Sequence, residues 1–381
     1  MATHILTVNE TTFPIHLRYM FIGTGKNGSP HQTGALADIF SIREGDNIIF
    51  YVMQRGFFGI FKATGEVFYD YESYDGYHPQ YLNDDLGGKT LTYRMKIEPN
   101  EVYENYISEW DMMENPENIK DNSIFNLQWS WIFKKLKGNR GCVSIDETEF
   151  ELFQSNLAKN NNTIAKSGCY DYVNGKIKSL NTGVLYHEEC TTKPPRSVER
   201  LNKIYREEDL RILFTAYANN HGVLNQVLKP HNNGNVNFIA NEIACSFSER
   251  RMDLLFGTDQ NNCILIELKN DFLFNENIYN QIQEYSRWIS AYKDYTEIIP
   301  ILILKSPRQV RPSRRGKYFK FLSENDKREN NFSPWYKAMI EKIENGKKEL
   351  SNEGIRKTAD LQVYLFETGS GNELIKFNQL F

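Results

Sequence analysis

Long apolar runs, repeats and paired cysteines are scarce in this chain of 381 residues. The longest apolar run, 298–304, has the length of a strand, so no membrane span and no membrane partner are expected. The first residues lack the basic and then apolar segments of a secretory signal. Five cysteines without a Cys-x-x-Cys pair argue against a disulfide framework and a zinc site. We therefore expect a cytoplasmic protein.

A strong excess of one charge is also absent, because 45 Lys and Arg stand against 49 Asp and Glu for a net charge of −4. Composition alone does not indicate a nucleic-acid binder, but the distribution of charge does. The segment 305–320 carries basic residues and no acid, which favours contacts with phosphate groups. The predicted phosphate-binding residues are Arg308, Arg311, Arg314, Arg315 and Lys317.

The order of patterns along the chain predicts an α+β protein of two domains. Residues 1–153 contain short β-rich runs at 46–52, 57–63 and 91–97 and predict a small barrel. Residues 154–196 are polar and predict a linker, with a hairpin turning at Asn174-Gly175. Residues 197–381 predict the second domain. Its predicted helices start at Ser197, 277 and 332, and its predicted later strands are 298–304, 361–366 and 373–377.

The first domain resembles the PUA-like superfamily, which contains the EVE and YTH domains. The resemblance rests on the pieces Gly45-Asp46, 48–51, 59–61, 68–70 and 129–141. It implies a curved β-barrel with helices and a base- or nucleic-acid-reading role, in which aromatic walls hold a modified base. Trp129, Trp131 and Trp110 are the candidate wall residues, although aromatic side chains in small β-domains more often belong to the core.

Charged side chains interrupt two apolar runs of the second domain. Asp253 lies in the run 251–256, and Glu267 and Lys269 lie in the run 263–269. Alternation along a strand points Glu267 and Lys269 to the same face, and a hairpin turning at 257–262 would bring Asp253 beside Glu267. Buried charges are costly unless they bind a cation or each other. A cation site and an ion cluster at the sheet edge are therefore the two interpretations.

The order of these elements resembles the PD-(D/E)xK nuclease superfamily and most closely its NucS branch. The resemblance rests on Asp253, on Glu267-x-Lys269 fourteen residues later, and on Gln281-x-x-x-Tyr285 in the following helix. It implies a restriction-endonuclease-like α/β core over 197–381. It also implies Asp253, Glu267 and the backbone carbonyl of Leu268 as ligands of Mg²⁺ or Mn²⁺, and Gln281 and Tyr285 beside the site.

Phosphodiester hydrolysis requires charge neutralisation at the phosphate and an activated water, and hard carboxylate ligands suit Mg²⁺. Lys269 would orient or deprotonate the water, or stabilise negative charge on the phosphate. Glu242 and Glu199 are candidate accessory ligands, although acids at strand starts and in first helical turns have ordinary reasons to be there.

These patterns together predict an Mg²⁺-dependent DNA endonuclease, a prokaryotic restriction or defence enzyme whose first domain recognises a modified base. An alternative is a restriction or repair nuclease that is specific for a sequence, a mismatch or a single strand. A further alternative is a non-catalytic nucleic-acid-binding protein. Because one site cuts one strand, a homodimer is expected for double-strand cleavage.

Overall fold

The computed structural model describes most of the chain, in two compact units. The described residues are 2–24, 33–69, 91, 93–108, 111, 141–159, 161–181, 203–219, 222–229, 234–244, 251–272, 276–307, 323–328, 333–352 and 354–380. One unit comprises Met1–Glu199 with Phe238–Phe247, and the other comprises Arg200–Asn237 with Ser248–Phe381. Both units combine helices and strands, so the α+β class is confirmed. The domain limits at 153 and 197 stay a prediction.

The first unit is built around a seven-stranded sheet. Its described elements are β1 (Thr3–Val8), α1 (Phe13–Tyr19), β2 (Phe21–Thr24), α2 (Thr33–Phe40), β3 (Asn47–Val52), β4 (Gly56–Tyr69), β5 (Tyr93–Glu101), β6 (Ile107–Ser108), β7 (Cys142–Ile145), α3 (Glu147–Lys159), β8 (Tyr170–Val173) and β9 (Lys176–Ser179). The strand order is β2-β5-β4-β3-β1-β7, and β6 pairs with β4. Strands β1 and β3 are parallel, and the other described strand pairs of this sheet are antiparallel. Among the described strands, β2 and β7 are the ends of an open path, so a closed barrel stays a prediction.

Both faces of this sheet are buried, which explains why its central strand is apolar at nearly every position. In β3, Phe50 packs on the face that carries Phe13 of α1, whereas Ile49 packs on the face that carries Phe153 of α3. Successive side chains of a strand point to opposite faces, so a strand buried on both faces lacks the usual polar alternation. The strand predicted at 46–52 is confirmed for this reason.

Asp46, which directly precedes β3, holds the starts of neighbouring strands together through its carboxylate. It accepts hydrogen bonds from the backbone N–H groups of Ala2, at 2.9 Å, and Arg43, at 2.8 Å. His4 Nε2 lies 3.1 Å from Asp46 Oδ2, and His4 Nδ1 lies 3.1 Å from the hydroxyl of Ser144. Since a carboxylate oxygen accepts hydrogen bonds, Nε2 of His4 is the donor to Asp46. The network links β1, β3 and β7.

The hairpin predicted at Asn174-Gly175 is confirmed. Strands β8 and β9 pair with Val173 opposite Lys176, so the turn has two residues. Both turn residues have positive φ, 52° at Asn174 and 78° at Gly175. Asn and Gly adopt this conformation at the lowest cost, which is why the pair marks such turns. The hairpin packs Tyr170 and Ile177 into the core of the first unit.

The second unit is built around a mixed sheet. Its described elements are α4 (Glu207–Tyr217), α5 (Asn225–Leu228), the first two residues of β10 (Val236–Ala244), β11 (Arg251–Thr258), β12 (Asn262–Lys269), α6 (Glu276–Tyr292), β13 (Glu297–Lys305), α7 (Glu324–Arg328), α8 (Ser333–Asn352), β14 (Gln362–Thr368) and β15 (Leu374–Gln379). From β10 onward, the strands lie in the order β11-β12-β13-β14-β15. The β11–β12 and β14–β15 pairs are antiparallel, whereas β12–β13 and β13–β14 are parallel.

Helix α6 is the crossover between the parallel strands β12 and β13, and its apolar face packs against the sheet. Ile278 and Ile282 of α6 share a buried cluster with Leu302 and Leu304 of β13. The predicted order around the acidic residues is therefore confirmed: a helix, a hairpin, a helix and a parallel strand. Membership of the nuclease superfamily stays a prediction.

Within the described residues, the helix predicted from Ser197 does not run through 203–206. Residues 203–206 are not helical, and α4 begins at Glu207. Lys203 forms a bridge with Glu373, and the N–H of Ile204 donates to the carbonyl of Asn372 at 2.8 Å. These contacts between distant parts of the chain hold the segment extended and override the local helical pattern from Ser197.

None of the described helices has the length and apolar character needed to cross a membrane.

Candidate functional site

The hairpin β11–β12 brings two carboxylates together at one end of its strands. Its register pairs Leu254 with Ile266, and one further step places Asp253 opposite Glu267. The Asp253 carboxylate accepts a hydrogen bond from the backbone N–H of Leu268 at 2.8 Å. This bond holds Asp253 against the neighbouring strand. The hairpin geometry predicted from the two apolar runs is therefore confirmed.

The ammonium of Lys269 lies among these groups. Its Nζ is 2.6 Å from Oε1 of Glu267 and 2.7 Å from the carbonyl oxygen of Leu268. It is 4.0 Å from Oδ2 of Asp253. Glu267 and Lys269 share one face of β12 because they are two residues apart. We call Asp253, Glu267, Lys269 and Glu207, described next, the acid–lysine cluster.

Glu207 is a third carboxylate of the cluster, and the sequence analysis did not select it. Its Oε1 lies 3.8 Å from Nζ of Lys269. Glu207 is the first residue of α4, whereas the sequence pattern predicts the first turn after Ser197 and therefore favours Glu199. The run of acids at 207–209 was the available signal, because acids concentrate in first helical turns.

Gln281 supports the cluster from α6. Its Nε2 donates to the carbonyl of Arg251, at 2.8 Å, and to Oε2 of Glu267, at 3.2 Å. One side chain thus ties the helix to the strand of Asp253 and to the carboxylate of Glu267. Tyr285 lies one helical turn later and its side chain is only 1% exposed. A direct contact with DNA would require Tyr285 to become exposed, so its role in the reaction stays a prediction.

Burial divides the cluster into a floor and a rim. The Glu267 side chain is 2% exposed and forms the floor, whereas the side chains of Lys269 and Glu207 are 26% and 32% exposed. A ligand that approaches from solvent therefore meets Lys269 and Glu207 first. Asp253, at 13%, lies between these extremes.

The electrostatics of the cluster are dominated by burial and by like charges. Burial raises the pKa of the Glu267 carboxyl to about 8, and the nearby Asp253 carboxylate adds to the rise. Burial and Asp253 also raise the pKa of Glu207 to about 7. Burial alone would lower the pKa of Lys269, but the carboxylates of Glu267, Asp253 and Glu207 together hold it above its ordinary value. Lys269 therefore remains protonated at neutral pH.

These residues include oxygen donors of the type that a hard divalent cation prefers. Three carboxyl groups surround one lysine, and burial, together with the nearby Asp253 charge, raises the pKa of two of them, so their ionised forms are disfavoured without a further positive charge. Within the described part of the chain, no three His, Cys, Asp or Glu side chains are arranged to hold a metal ion. Asp253, Glu267 and the Leu268 carbonyl would be the protein ligands. Mg²⁺ is usually held by one or two carboxylates and retains several waters, so this set is sufficient.

The other predicted site residues lie in the first unit or outside the described residues. Glu242 lies in the part of β10 that belongs to the first unit, with φ of 48°. The remaining ones lie outside the described residues: Glu199, Trp110, Trp129, Trp131, Arg308, Arg311, Arg314, Arg315 and Lys317.

No known protein family matches this chain, and no curated protein does either. Solved structures do match part of it. Human THYN1 in complex with 5-methylcytosine-containing DNA has 10% identity and a TM-score of 0.29, over 42% of this chain and 99% of THYN1. A Pseudomonas syringae protein has 14% identity and a TM-score of 0.27, over 40% of this chain and 98% of its own. An Agrobacterium tumefaciens protein has 14% identity and a TM-score of 0.27, over 43% and 100%. Likenesses with TM-scores this low carry no argument about function.

Proposed function

We propose that the second unit is a DNA endonuclease that hydrolyses phosphodiester bonds with Mg²⁺ or Mn²⁺. The observation that carries the proposal is the acid–lysine cluster itself. Three carboxylates and one ammonium converge at one end of a buried hairpin, and the two groups at the rim are open to solvent. Phosphodiester hydrolysis requires charge neutralisation at the phosphate and an activated water, and this cluster offers carboxylate ligands for a cation and an ammonium.

Asp253 and Glu267 would hold the cation, together with the carbonyl of Leu268. When bound, Mg²⁺ neutralises charge on the phosphate and lowers the pKa of a bound water. The Leu268 N–H positions the Asp253 carboxylate, and Gln281 positions that of Glu267. Such outer contacts orient ligands and raise affinity for the ion.

Lys269 is assigned to charge stabilisation. Because its pKa is raised, its ammonium keeps its proton at neutral pH in the metal-free protein and is a poor base. It donates hydrogen bonds to Glu267 and to the Leu268 carbonyl, and one of these donors can turn to a phosphate oxygen. A positioned ammonium at developing negative charge contributes several kcal/mol, on the order of 3.

A purely structural ion cluster is the competing interpretation. It explains the contacts of Lys269, but it leaves three carboxylates around one lysine. Buried ion groups are a poor source of stability, and apolar side chains of similar volume often serve as well or better. The nuclease interpretation accounts for the excess of carboxylates and for the exposure.

The first unit is proposed to select the DNA, as its resemblance to base-reading PUA-like domains implies. Tyr106 is 37% exposed in this unit, and its ring packs 5.1 Å from that of Phe58. An exposed aromatic face of this kind can stack on a base. A reader joined to a nuclease suits a cytoplasmic prokaryotic defence enzyme that cuts modified DNA, acting as a homodimer on both strands.

One experiment tests both parts. The protein is incubated with Mg²⁺ and with plasmids that are unmodified, adenine-methylated, cytosine-methylated, hydroxymethylated or mismatched. Glu267→Ala and Lys269→Ala are compared with Glu297→Ala, which removes an exposed acid of β13 in the same unit. We expect cleavage by the wild type and by Glu297→Ala, a preference for one modified plasmid, and no cleavage in EDTA.

The outcomes separate the rival functions. Cleavage by Glu267→Ala at the wild-type rate would refute the nuclease assignment. Equal cleavage of all plasmids would refute the reader and leave the nuclease. A preference for the mismatched plasmid would favour repair, and binding without cleavage would favour a non-catalytic DNA-binding protein.

A further inference from the structure

The segment before α4 carries an exposed aromatic residue whose backbone is bonded to the end of β12, next to the acid–lysine cluster. Tyr205 is two residues before Glu207, and its side chain is 48% exposed. Single exposed apolar residues are common and need no explanation by themselves. What distinguishes Tyr205 is that both of its peptide groups are held in place, one by α4 and one by the residue that follows Lys269.

The first restraint comes from α4. The Asp209 carboxylate accepts hydrogen bonds from the N–H of Tyr205, at 2.9 Å, and from that of Arg206, at 2.8 Å. The second comes from the end of β12, where Nδ2 of Asn270 donates to the carbonyl of Tyr205 at 2.8 Å. Asn270 in turn accepts from Nζ of the nearly buried Lys305 at 3.3 Å. The Tyr205 backbone is thus tied to the strand that carries Glu267 and Lys269.

These restraints tie the Tyr205 backbone to residues close in the chain to Glu207 and Lys269, the two most exposed members of the cluster, while its ring is half exposed to solvent. A held backbone lowers the conformational entropy that is lost when a ligand stacks on the ring. A DNA strand that places a phosphate at Lys269 must pass the rim of the cluster. The flat ligand that it presents there is a nucleobase, and every base has a π-face that can stack on an aromatic ring.

We propose that Tyr205 contacts the substrate by stacking on the nucleobase next to the phosphate bound by the cluster, and that Asn270 is its positioning residue. This inference rests on the proposed function. A base inside a duplex has both faces covered by its neighbours, so the stack requires a base that is unpaired or turned out at the cut.

The test compares the DNA affinities of several variants in EDTA, where Mg²⁺-dependent cleavage does not occur during the measurement. Affinity is measured for a single-stranded oligothymidine and for an abasic oligomer of the same length, with Tyr205→Ala, Tyr205→Leu and Tyr205→Phe. Tyr292→Ala is the matched control, because Tyr292 is 53% exposed in the same unit. We expect Tyr205→Ala to weaken oligothymidine binding about 5- to 100-fold, the range of one base–aromatic stack, and to leave abasic binding unchanged.

The remaining variants define the interaction. Tyr205→Phe should bind within about twofold of the wild type because it keeps the ring, whereas Tyr205→Leu should resemble Tyr205→Ala. Equal losses on both oligomers, or no loss on either, would overturn the inference, as would wild-type protein that binds neither oligomer. Because cleavage is assayed separately with Mg²⁺, a protein that shows the expected affinities but cuts no DNA would refute the proposed function and leave the stacking intact.

Discussion

Replacing Glu267 by glutamine should change how the stability of the metal-free protein depends on pH. The carboxyl of Glu267 has a pKa of about 8 in the folded protein, raised by burial and by Asp253 from an ordinary 4.5. A carboxyl with a raised pKa binds its proton more tightly when folded than when unfolded. Its stability contribution is therefore fully present below about pH 4.5 and is lost as the pH rises through about 8.

The magnitude follows from these two values. Each pKa unit corresponds to about 1.4 kcal/mol, so raising the pH from about 6 to about 9 should cost the wild type roughly 3 kcal/mol through this group. The Glu267→Gln variant has no such titration and retains only the smaller dependence from Glu207, whose pKa is about 7. The new amide also faces the Nε2 donor of Gln281, but that penalty is the same at every pH.

The assay is urea unfolding in EDTA at several pH values, followed by circular dichroism, with Glu297→Gln as the exposed control. The free energy of unfolding of the wild type and the control should fall with pH more steeply than that of Glu267→Gln. Parallel curves for all three proteins would mean that Glu267 does not titrate in this range, and the electrostatic description of the cluster would be wrong.

Three other substitutions test separate parts of the structure. Gln281→Leu loses the hydrogen bonds to Arg251 and Glu267 and should reduce the cleavage rate about 10-fold. Gln283→Leu on the same helix should cleave like the wild type, and equal cleavage rates for the two variants would refute the positioning role of Gln281. Gly56→Ala should destabilise the first unit by roughly 2 kcal/mol, because φ is 152° and a Cβ would lie 2.1 Å from the Ile107 carbonyl oxygen. Thermal unfolding measures this loss, and Gly141→Ala, where a Cβ meets no neighbour, should leave the stability unchanged. Replacing both Arg314 and Arg315 by alanine should lower the salt slope of DNA binding by about 2, and an unchanged slope would exclude phosphate contacts there.

Features that depend on residues close together in the chain, such as strand faces, hairpins and tight turns, could be predicted from the sequence. Alternation along β12 predicted that Glu267 and Lys269 share a face, and the apolar runs predicted the hairpin that brings Asp253 to them. The two-residue turn at Asn174-Gly175 was predictable because few residues adopt its backbone conformation cheaply. In each case the determining contacts are close in the sequence.

Contacts between distant parts of the chain could not be predicted in this way. The position of Glu207 depends on where α4 begins. The acids at 207–209 were a local signal for that start, but the contacts of Lys203 and Ile204 with 372–373, which keep the preceding segment out of the helix, leave no local pattern. The approach of Tyr205 to Asn270 likewise joins segments 65 residues apart. An exposed aromatic residue acquires meaning only when the tertiary structure places it beside a charged site.

The most direct test of the nuclease assignment is the single-turnover rate of Mg²⁺-dependent DNA cleavage by Lys269→Met. This substitution keeps much of the side-chain length and removes the charge that lies 2.6 Å from Glu267. If the cluster is the active site, the rate should fall at least about 100-fold while DNA binding in EDTA persists, and Lys357→Met in the same unit should cut like the wild type. Cleavage by Lys269→Met at the wild-type rate would contradict the account.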